Sequence, residues 1–128
     1  MTGHAYDLET TYLSLASDGE VAELPVGPDF WETIDSNPKL RGALVSAYRM
    51  DADWTSWEMH PHGDEVLILL DGRATMILDK DGVERRCEMS AGSTLVVPAG
   101  AWHRALIPES CRLMAITFGD GTQHRPVA

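Results

Sequence analysis

Histidine and glutamate side chains concentrate in the stretch "WEMHPHGDE", which runs from Trp57 to Glu65. Imidazole nitrogens and carboxylate oxygens are common ligands of Zn, Fe, Mn, Ni and Cu in proteins. Two or three histidines with one carboxylate would leave coordination positions open for water, oxygen or a chelating substrate. The stretch therefore has two interpretations: a metal site at the edge of a strand, or an ordinary polar turn before a buried strand.

The spacing within this stretch predicts how its side chains are positioned. Residues two apart in a strand project to the same face, so Glu58 and His60 share one side. Pro61 cannot donate to a strand ladder and is expected to end that strand, and Gly63-Asp64 favours a reversal. The chain would then return with Glu65 on the neighbouring strand. Two strand ends that carry possible ligands are thus predicted to meet.

A second stretch, "GSTLVVPAGAWH", carries another histidine in a defined setting. Gly92 opens a strand, the residues 98–100 form a tight turn, and His103 begins the returning strand. With this motif beside the first, the sequence resembles the cupin superfamily, and small single-domain bacterial cupins in particular. The family's second motif is glycine, five residues, Pro-x-Gly, two residues and histidine. It is matched throughout by Gly92, Pro98, Gly100 and His103.

The family's first motif is matched only in part. Its glutamate stands four or five residues after the second of two histidines, and a glycine follows seven residues later; Glu65 and Gly72 fit this later part. With His60 and His62 as the histidine pair, the spacing to Glu65 is too short. With His60 as the second histidine the spacing fits, and the first position falls on Glu58. The two ligand sets that the resemblance implies are His60, His62, Glu65 and His103, or Glu58, His60, Glu65 and His103.

The two sets differ in the metal they favour and in the role of Glu58. A set with two carboxylates favours Fe(II) or Mn(II), whereas three histidines also accommodate zinc, nickel or copper. If Glu58 is not a ligand, it is the predicted general base beside the metal. His62 follows a proline in a turn, so an exposed surface position is an equally good interpretation. His4 and His124 are expected at the surface.

Short apolar runs separated by Gly, Pro and Asp-Gly predict an antiparallel all-β chain. We expect one domain over residues 1–128, with strands and a short helix in 1–40 and a barrel in 42–128. The resemblance implies that this barrel is a double-stranded β-helix, or jelly roll, with a metal held inside its mouth. The helix is predicted over residues 29–36, between Pro28 and Pro38. Ten strands are predicted: 11–15, 21–26, 42–50, 55–60, 65–70, 73–78, 83–89, 94–97, 103–107 and 112–118.

Charge and composition limit the partners. Ten Lys and Arg against twenty Asp and Glu give a net charge of −10, which repels nucleic acid and acidic membrane surfaces. The start of the chain has no basic segment followed by an apolar run, and Val66 to Leu70 is too short to cross a bilayer. A cytoplasmic location is therefore expected. Exposed sheet edges predict a homodimer, and the resemblance to small cupins, which form homodimers, implies the same.

Two classes of function remain open at this stage. The first is an enzyme that uses one divalent metal ion on a small chelating organic substrate, by oxygenase, lyase or isomerase chemistry. The second is a non-catalytic metal- or small-molecule-binding module, such as a sensor, which includes a barrel without metal. The resemblance does not choose between them, because one fold supports many activities.

Overall fold

A computed structural model describes Gly3 and residues 5–128 of the chain, so His4 lies outside the described residues. Within this part the chain forms nine strands and one short helix that runs into a 3₁₀ turn. No helix among the described residues is long and apolar enough to cross a membrane. The elements are β1 (Thr11–Leu15), β2 (Val21–Pro25), α1 (Phe30–Thr33), the 3₁₀ turn (Ile34–Ser36), β3 (Ala43–Met50), β4 (Ser56–Met59), β5 (Glu65–Lys80), β6 (Val83–Ser90), β7 (Thr94–Val97), β8 (Trp102–Thr117) and β9 (Gln123–Pro126).

Two long strands replace four of the predicted ones. The chain stays extended through Asp71-Gly72 in β5 and through Pro108 in β8, where the sequence predicts breaks. The pairing of β5 with β8 shifts register three times between Leu69 and Thr75, so the ladder bends and continues. Gly72 has a φ of 73°, and a Cβ there would collide with the carbonyl oxygen of Ser110. This close approach of two backbones explains the glycine.

All nine strands in the described part of the chain belong to one antiparallel sheet. Its main path runs β2-β1-β3-β8-β4-β9, and β5 pairs with β6, β7 and β8. β8 therefore has β5 along one edge from Trp102 to Thr117, with β3 and β4 on the other edge at its two ends. This wrapping brings the ends of β4, β5 and β8, which carry Glu58, Glu65 and His103, to one place.

Most of the buried apolar side chains among the described residues form two separate groups. The larger, which we call the barrel core, lies between the long strands because alternate residues of β5 and β8 face inward. The smaller, the N-terminal cluster, joins the helix to the start of the sheet. The barrel core consists of Met50, Leu67, Leu69, Ala74, Met76, Leu78, Met89, Val97, Ala101, Ala105, Cys111, Leu113 and Ala115. The N-terminal cluster consists of Tyr12, Leu24, Phe30, Ile34 and Leu44.

The helix is shorter than the predicted span of 29–36. Only Phe30–Thr33 is α-helical, and the rest of the span is a 3₁₀ turn. Phe30 and Ile34 lie four residues apart, so both point to the same side and are buried in the N-terminal cluster. The Thr33 hydroxyl donates to the carbonyl oxygen of Asp29 at 3.1 Å. Packing of two apolar residues therefore stabilises this segment more than helix length does.

Candidate metal centre

Glu58, His60, Glu65 and His103 meet at one end of the barrel, and we call these four residues the metal cluster. Glu58 in β4 lies directly opposite His103 in β8, so their side chains share the inner face. Glu65 begins β5 and lies opposite Thr117 of β8. His60, Glu65 and His103 are buried, with 5%, 4% and 0% of their surfaces exposed. The strand ends that carry His60 and Glu65 meet as predicted. The predicted return of Glu65 on the neighbouring strand is wrong, because β4 pairs with β8 and β9 and β5 pairs with β6, β7 and β8.

Short distances connect the four side chains. Nε2 of His60 lies 3.1 Å from Oε1 of Glu58 and 3.2 Å from Oε2 of Glu65. The second Glu65 oxygen, Oε1, lies 3.1 Å from Nε2 of His103. One possible ligand atom each from Glu58, His60 and His103 can be chosen so that all three lie within 4.8 Å of one another. This spacing is compact enough for a single ion to contact several of these atoms.

Contacts at Nδ1 orient both imidazole rings. Nδ1 of His60 lies 2.8 Å from Oγ1 of Thr122, and Nδ1 of His103 lies 3.4 Å from the carbonyl oxygen of Ala101. When Nδ1–H of His103 donates to that carbonyl, Nε2 keeps its lone pair. Partners of this kind hold the far nitrogen of metal-bound histidines in known sites. Both Nε2 atoms are consequently directed toward the carboxylates.

The Nε2 atoms of His60 and His103 test whether the cluster suits a metal. Both atoms are buried, and neither makes a hydrogen bond with acceptable geometry to any described residue. The carboxylate oxygens beside them lie at ion-pair distance but off the hydrogen-bond direction. When the rings are neutral, these two nitrogens lack a donor, and a coordinated cation would satisfy them together with the carboxylates. The donor set therefore fits a divalent metal.

Charge within the cluster shifts two pKa values. Burial acts to lower the pKa of His60, but the carboxylates of Glu58 and Glu65 outweigh it and raise the pKa to about 9. Burial likewise acts to raise the pKa of Glu65, and the two histidines overcome it and lower the pKa to about 2. The Thr117 hydroxyl also donates to Oε2 of Glu65 at 2.6 Å. A proton on His60 thus occupies the place that a metal cation would take.

Contacts between the turns of the two sequence motifs hold the metal cluster in place, which accounts for the spacing of the motif residues. The N–H of Gly100 donates to the carbonyl oxygen of His60 at 2.9 Å, and the N–H of Ala99 donates to Oδ1 of Asp64 at 2.9 Å. The turn of the second motif is thereby hydrogen-bonded to the first. On the other side, a Cβ on Gly63 would lie 2.6 Å from Cβ of Phe118. This close packing holds the segment that carries Thr122 against His60.

The structure places His62 away from the metal cluster and His124 at its edge. His62 is exposed in the turn, and its ring lies beside Gly121, so the structure does not bring it to the metal cluster. His124 is exposed as expected, with 61% of its side chain accessible, but its Nε2 lies 3.7 Å from Oε2 of Glu58. β9, which carries His124, is absent from the predicted strands. Register places it, because His124 pairs with Glu58 across β4 and β9.

A cavity of about 560 Å³ opens beside the cluster. Glu58, His60 and Glu65 form one part of its wall, and Tyr48 lines the space next to them. Burial, with the nearby Glu65 and Glu58 carboxylates, raises the pKa of Tyr48 well above its ordinary value. This tyrosine therefore stays neutral. Trp54 also lines the cavity, and its ring centroid lies 5.9 Å from that of His103.

The sequence reasoning missed Thr117, Thr122 and Tyr48. Thr117 and Tyr48 face the cluster because they alternate with outward residues on β8 and β3. Thr122 lies in an irregular segment between β8 and β9. Period-two alternation could have placed the first two once the strands were paired, and no sequence signal identifies the third.

The model of the cupin domain family matches residues 48–125, which is more than half of the chain. The chain therefore belongs to the cupin superfamily. With the antiparallel sheet and the cupin neighbours below, the predicted all-β jelly-roll fold with one short helix is confirmed. No protein among the curated sequences matches the chain.

Solved structures share the fold at low identity. A cupin-2 domain protein from Shewanella frigidimarina NCIMB 400 is 23% identical, with a TM-score of 0.52 over 60% of this chain and 71% of that one. Fe(II)-HppE with the alternative substrate (S)-1-HPP is 18% identical, with a TM-score of 0.50 over 59% and 42%. Hydroquinone 1,2-dioxygenase PnpCD with Cd²⁺ and 4-hydroxybenzonitrile is 17% identical, with a TM-score of 0.53 over 62% and 59%. The chain is thus similar in fold to proteins whose structures contain divalent metals.

Proposed function

We propose that this cupin binds one divalent metal ion and acts as an enzyme on a small organic molecule that can chelate it. The ion would be held by His60, Glu65 and His103, with Glu58 as fourth ligand or as general base. One observation carries the proposal. The Nε2 atoms of His60 and His103 converge with the carboxylates of Glu58 and Glu65, at 3.1–3.2 Å, in a buried site. When the imidazole rings are neutral, a cation is the group that these nitrogen and oxygen ligand atoms lack.

The surrounding residues support a catalytic use of the site. A divalent metal, when bound, supplies Lewis-acid chemistry or activates water or oxygen. One Glu58 oxygen contacts His60, and the other lies 3.7 Å from the exposed His124. Glu58 can therefore accept a proton in the cavity and pass it toward solvent. Tyr48 stays protonated and can donate a hydrogen bond to a substrate oxygen.

Oxygenase chemistry is the reaction type we would test first. Two carboxylates in the cluster favour Fe(II) or Mn(II) over softer metals. One structure with the same fold is a dioxygenase, and another contains Fe(II). Lyase and isomerase chemistry are the alternatives within the same proposal, since the fold serves many reactions.

A non-catalytic, metal-free barrel is the second candidate, and one observation favours it. Protonated His60 and ionised Glu65 already form a buried pair at 3.2 Å. Such a pair can be retained for structure alone. The predicted homodimer and cytoplasmic location stay predictions.

Metal analysis of untagged protein, purified without chelator, tests the proposal. After incubation with Fe(II) or Mn(II) and gel filtration, we expect about one metal ion per chain. His60→Ala and His60→Gln should lose the metal, and the matched control His62→Ala should keep it, because His62 lies outside the cluster. Circular dichroism checks that each variant is folded. Wild-type protein that retains less than about a tenth of an ion per chain would overturn the proposal.

Turnover separates the enzyme from the binding module. Oxygen uptake by the Fe(II)-loaded protein is measured against a panel of catechols, enols and 2-oxo acids. We expect uptake that disappears in folded His103→Ala. Stoichiometric metal with no uptake, and no conversion of any panel compound, would favour the binding module.

A further inference from the structure

The cavity beside the metal cluster has a second wall from the N-terminal part of the chain. The family match begins at residue 48, so this wall lies outside it. It comes from β1, the helix, the loop after it and the start of β3. We call it the N-terminal wall, and its apolar members are Tyr12, Trp31, Ile34, Leu40 and Leu44.

Trp31 is the most exposed apolar member of this wall. It keeps 58% of its surface accessible, while Phe30 beside it and Tyr12 beneath the helix are buried. The Tyr12 and Phe30 rings meet edge to face at 5.0 Å, and both lie within 5.7 Å of the Trp31 ring. Trp31 is thus held on a buried aromatic base with surface left open beside the cavity. Large apolar contact areas next to a few polar groups are typical of small-molecule sites.

The charged side chains that line the cavity are mainly acidic. Three carboxylates line it, those of Asp35, Glu58 and Glu65, with His60 and His124. No Lys or Arg is found among the described residues that line it. An anionic group on a ligand, apart from one that binds the metal, would therefore face these carboxylates without a Lys or Arg to pair with. A ligand with a second anionic group should therefore bind more weakly than one without it.

We infer that the N-terminal wall recognises the part of the ligand that does not touch the metal. This inference rests on the proposed metal-dependent function. The ligand is a molecule with one oxygen-rich chelating head, which binds at the metal cluster, and an uncharged aromatic or apolar tail, which packs against Trp31. Residues outside the matched family region thereby set which cupin substrate is accepted.

Three hydroxamates that share one chelating head test this inference. They are acetohydroxamate, benzohydroxamate and 4-carboxybenzohydroxamate, titrated calorimetrically into Zn(II)-loaded protein. We expect benzohydroxamate to bind about tenfold more tightly than acetohydroxamate, because its ring packs on Trp31. The added carboxylate should remove most of that gain. Trp31→Ala should bring the benzohydroxamate-to-acetohydroxamate ratio close to one, while Trp31→Phe should restore most of it.

The controls separate this inference from the proposed function. Val83→Ala removes an exposed apolar side chain on β6, away from the cavity, and should leave the ratio unchanged. Zinc affinity should be the same in wild type and Trp31→Ala. Equal affinity of the wild type for the first two hydroxamates would overturn the inference and leave the metal site standing. A wild type that binds none of Zn(II), Fe(II) and Mn(II) would overturn the proposed function and this inference with it.

Discussion

The metal cluster and the N-terminal wall border the same cavity but are built differently. Register with the long strand β8 positions the metal cluster, where Glu58 faces His103 and Glu65 faces Thr117. The N-terminal wall depends on a single helical turn and a few aromatic contacts. Buried charges are stable only with well-placed partners, whereas an apolar wall needs only contact area. The contrast implies that the metal cluster determines the chemistry, whereas the residues of the N-terminal wall can vary with the ligand.

The largest expected effect is that of pH on metal affinity, and it concerns the metal cluster alone. His60 has a pKa of about 9 in the metal-free protein, above the ordinary 6.5, so it is protonated at neutral pH. A metal needs the neutral ring, and binding must release this proton. Affinity should therefore rise about tenfold per pH unit below pH 9, or about a hundredfold from pH 6.5 to 8.5. Competition titration with a chromophoric chelator measures it.

The same shift predicts how the metal-free protein responds to pH. Because the folded pKa of His60 is raised, its stabilising contribution is complete below pH 6.5 and is lost as the pH rises through about 9. The folded pKa of Glu65 is lowered, so its contribution is present above pH 4.5 and is lost as the pH falls toward 2. These two contributions share one ion pair and count once.

A metal affinity that is flat between pH 6.5 and 8.5 would contradict the protonated state of His60.

Thr122→Val should have a smaller effect on the same measurement. The variant removes the hydroxyl that lies 2.8 Å from Nδ1 of His60 and leaves a side chain of similar size. Loss of such a partner typically weakens metal binding ten- to a hundredfold, and we expect about tenfold here. Thr75→Val is the matched control, because its hydroxyl donates to Glu88 at 2.8 Å and is not part of the cluster. Equal loss in both variants would show a general effect of threonine removal.

The sequence predicts much of the metal cluster but little of what surrounds it. The two motifs place His60, Glu65 and His103, and period-two alternation puts Glu58 on the same face as His60. His124 could not be placed in this way, because its proximity to Glu58 depends on pairing between β4 and β9. Pairing over long sequence separations follows from the whole sheet and leaves no local pattern.

The fold shows the same limit. Strand positions are predicted well from short apolar runs, and β1 and β7 have the predicted bounds. The two long strands are each predicted as two, because Asp71-Gly72 and Pro108 resemble turns. Gly72 instead lets β5 pass close to Ser110. The N-terminal wall is not predicted at all, since no motif marks Trp31 or Leu40 as residues that line a cavity.

Phe30→Ala should have the smallest effect on metal affinity, less than about twofold, because Phe30 belongs to the N-terminal cluster and not to the metal cluster. Its effect on stability should also be modest. Truncation of a buried phenylalanine typically costs about 3–5 kcal/mol. Here we expect about 1–2 kcal/mol, because a single helical turn can detach while the sheet stays folded. Urea unfolding gives the stability, and the chelator titration gives the metal affinity.

Leu67→Ala is the comparison that decides whether the two regions are energetically separate. Leu67 is fully buried in the barrel core, so its truncation should lower the free energy of unfolding of the whole sheet by about 3 kcal/mol. Phe30→Ala should also weaken benzohydroxamate binding, because Phe30 supports Trp31 at 5.2 Å, whereas Leu67→Ala should not while the protein remains folded. If Phe30→Ala costs as much stability as Leu67→Ala, the helix and the barrel unfold together. The N-terminal wall would then be as constrained as the metal cluster, and less free to vary with the ligand.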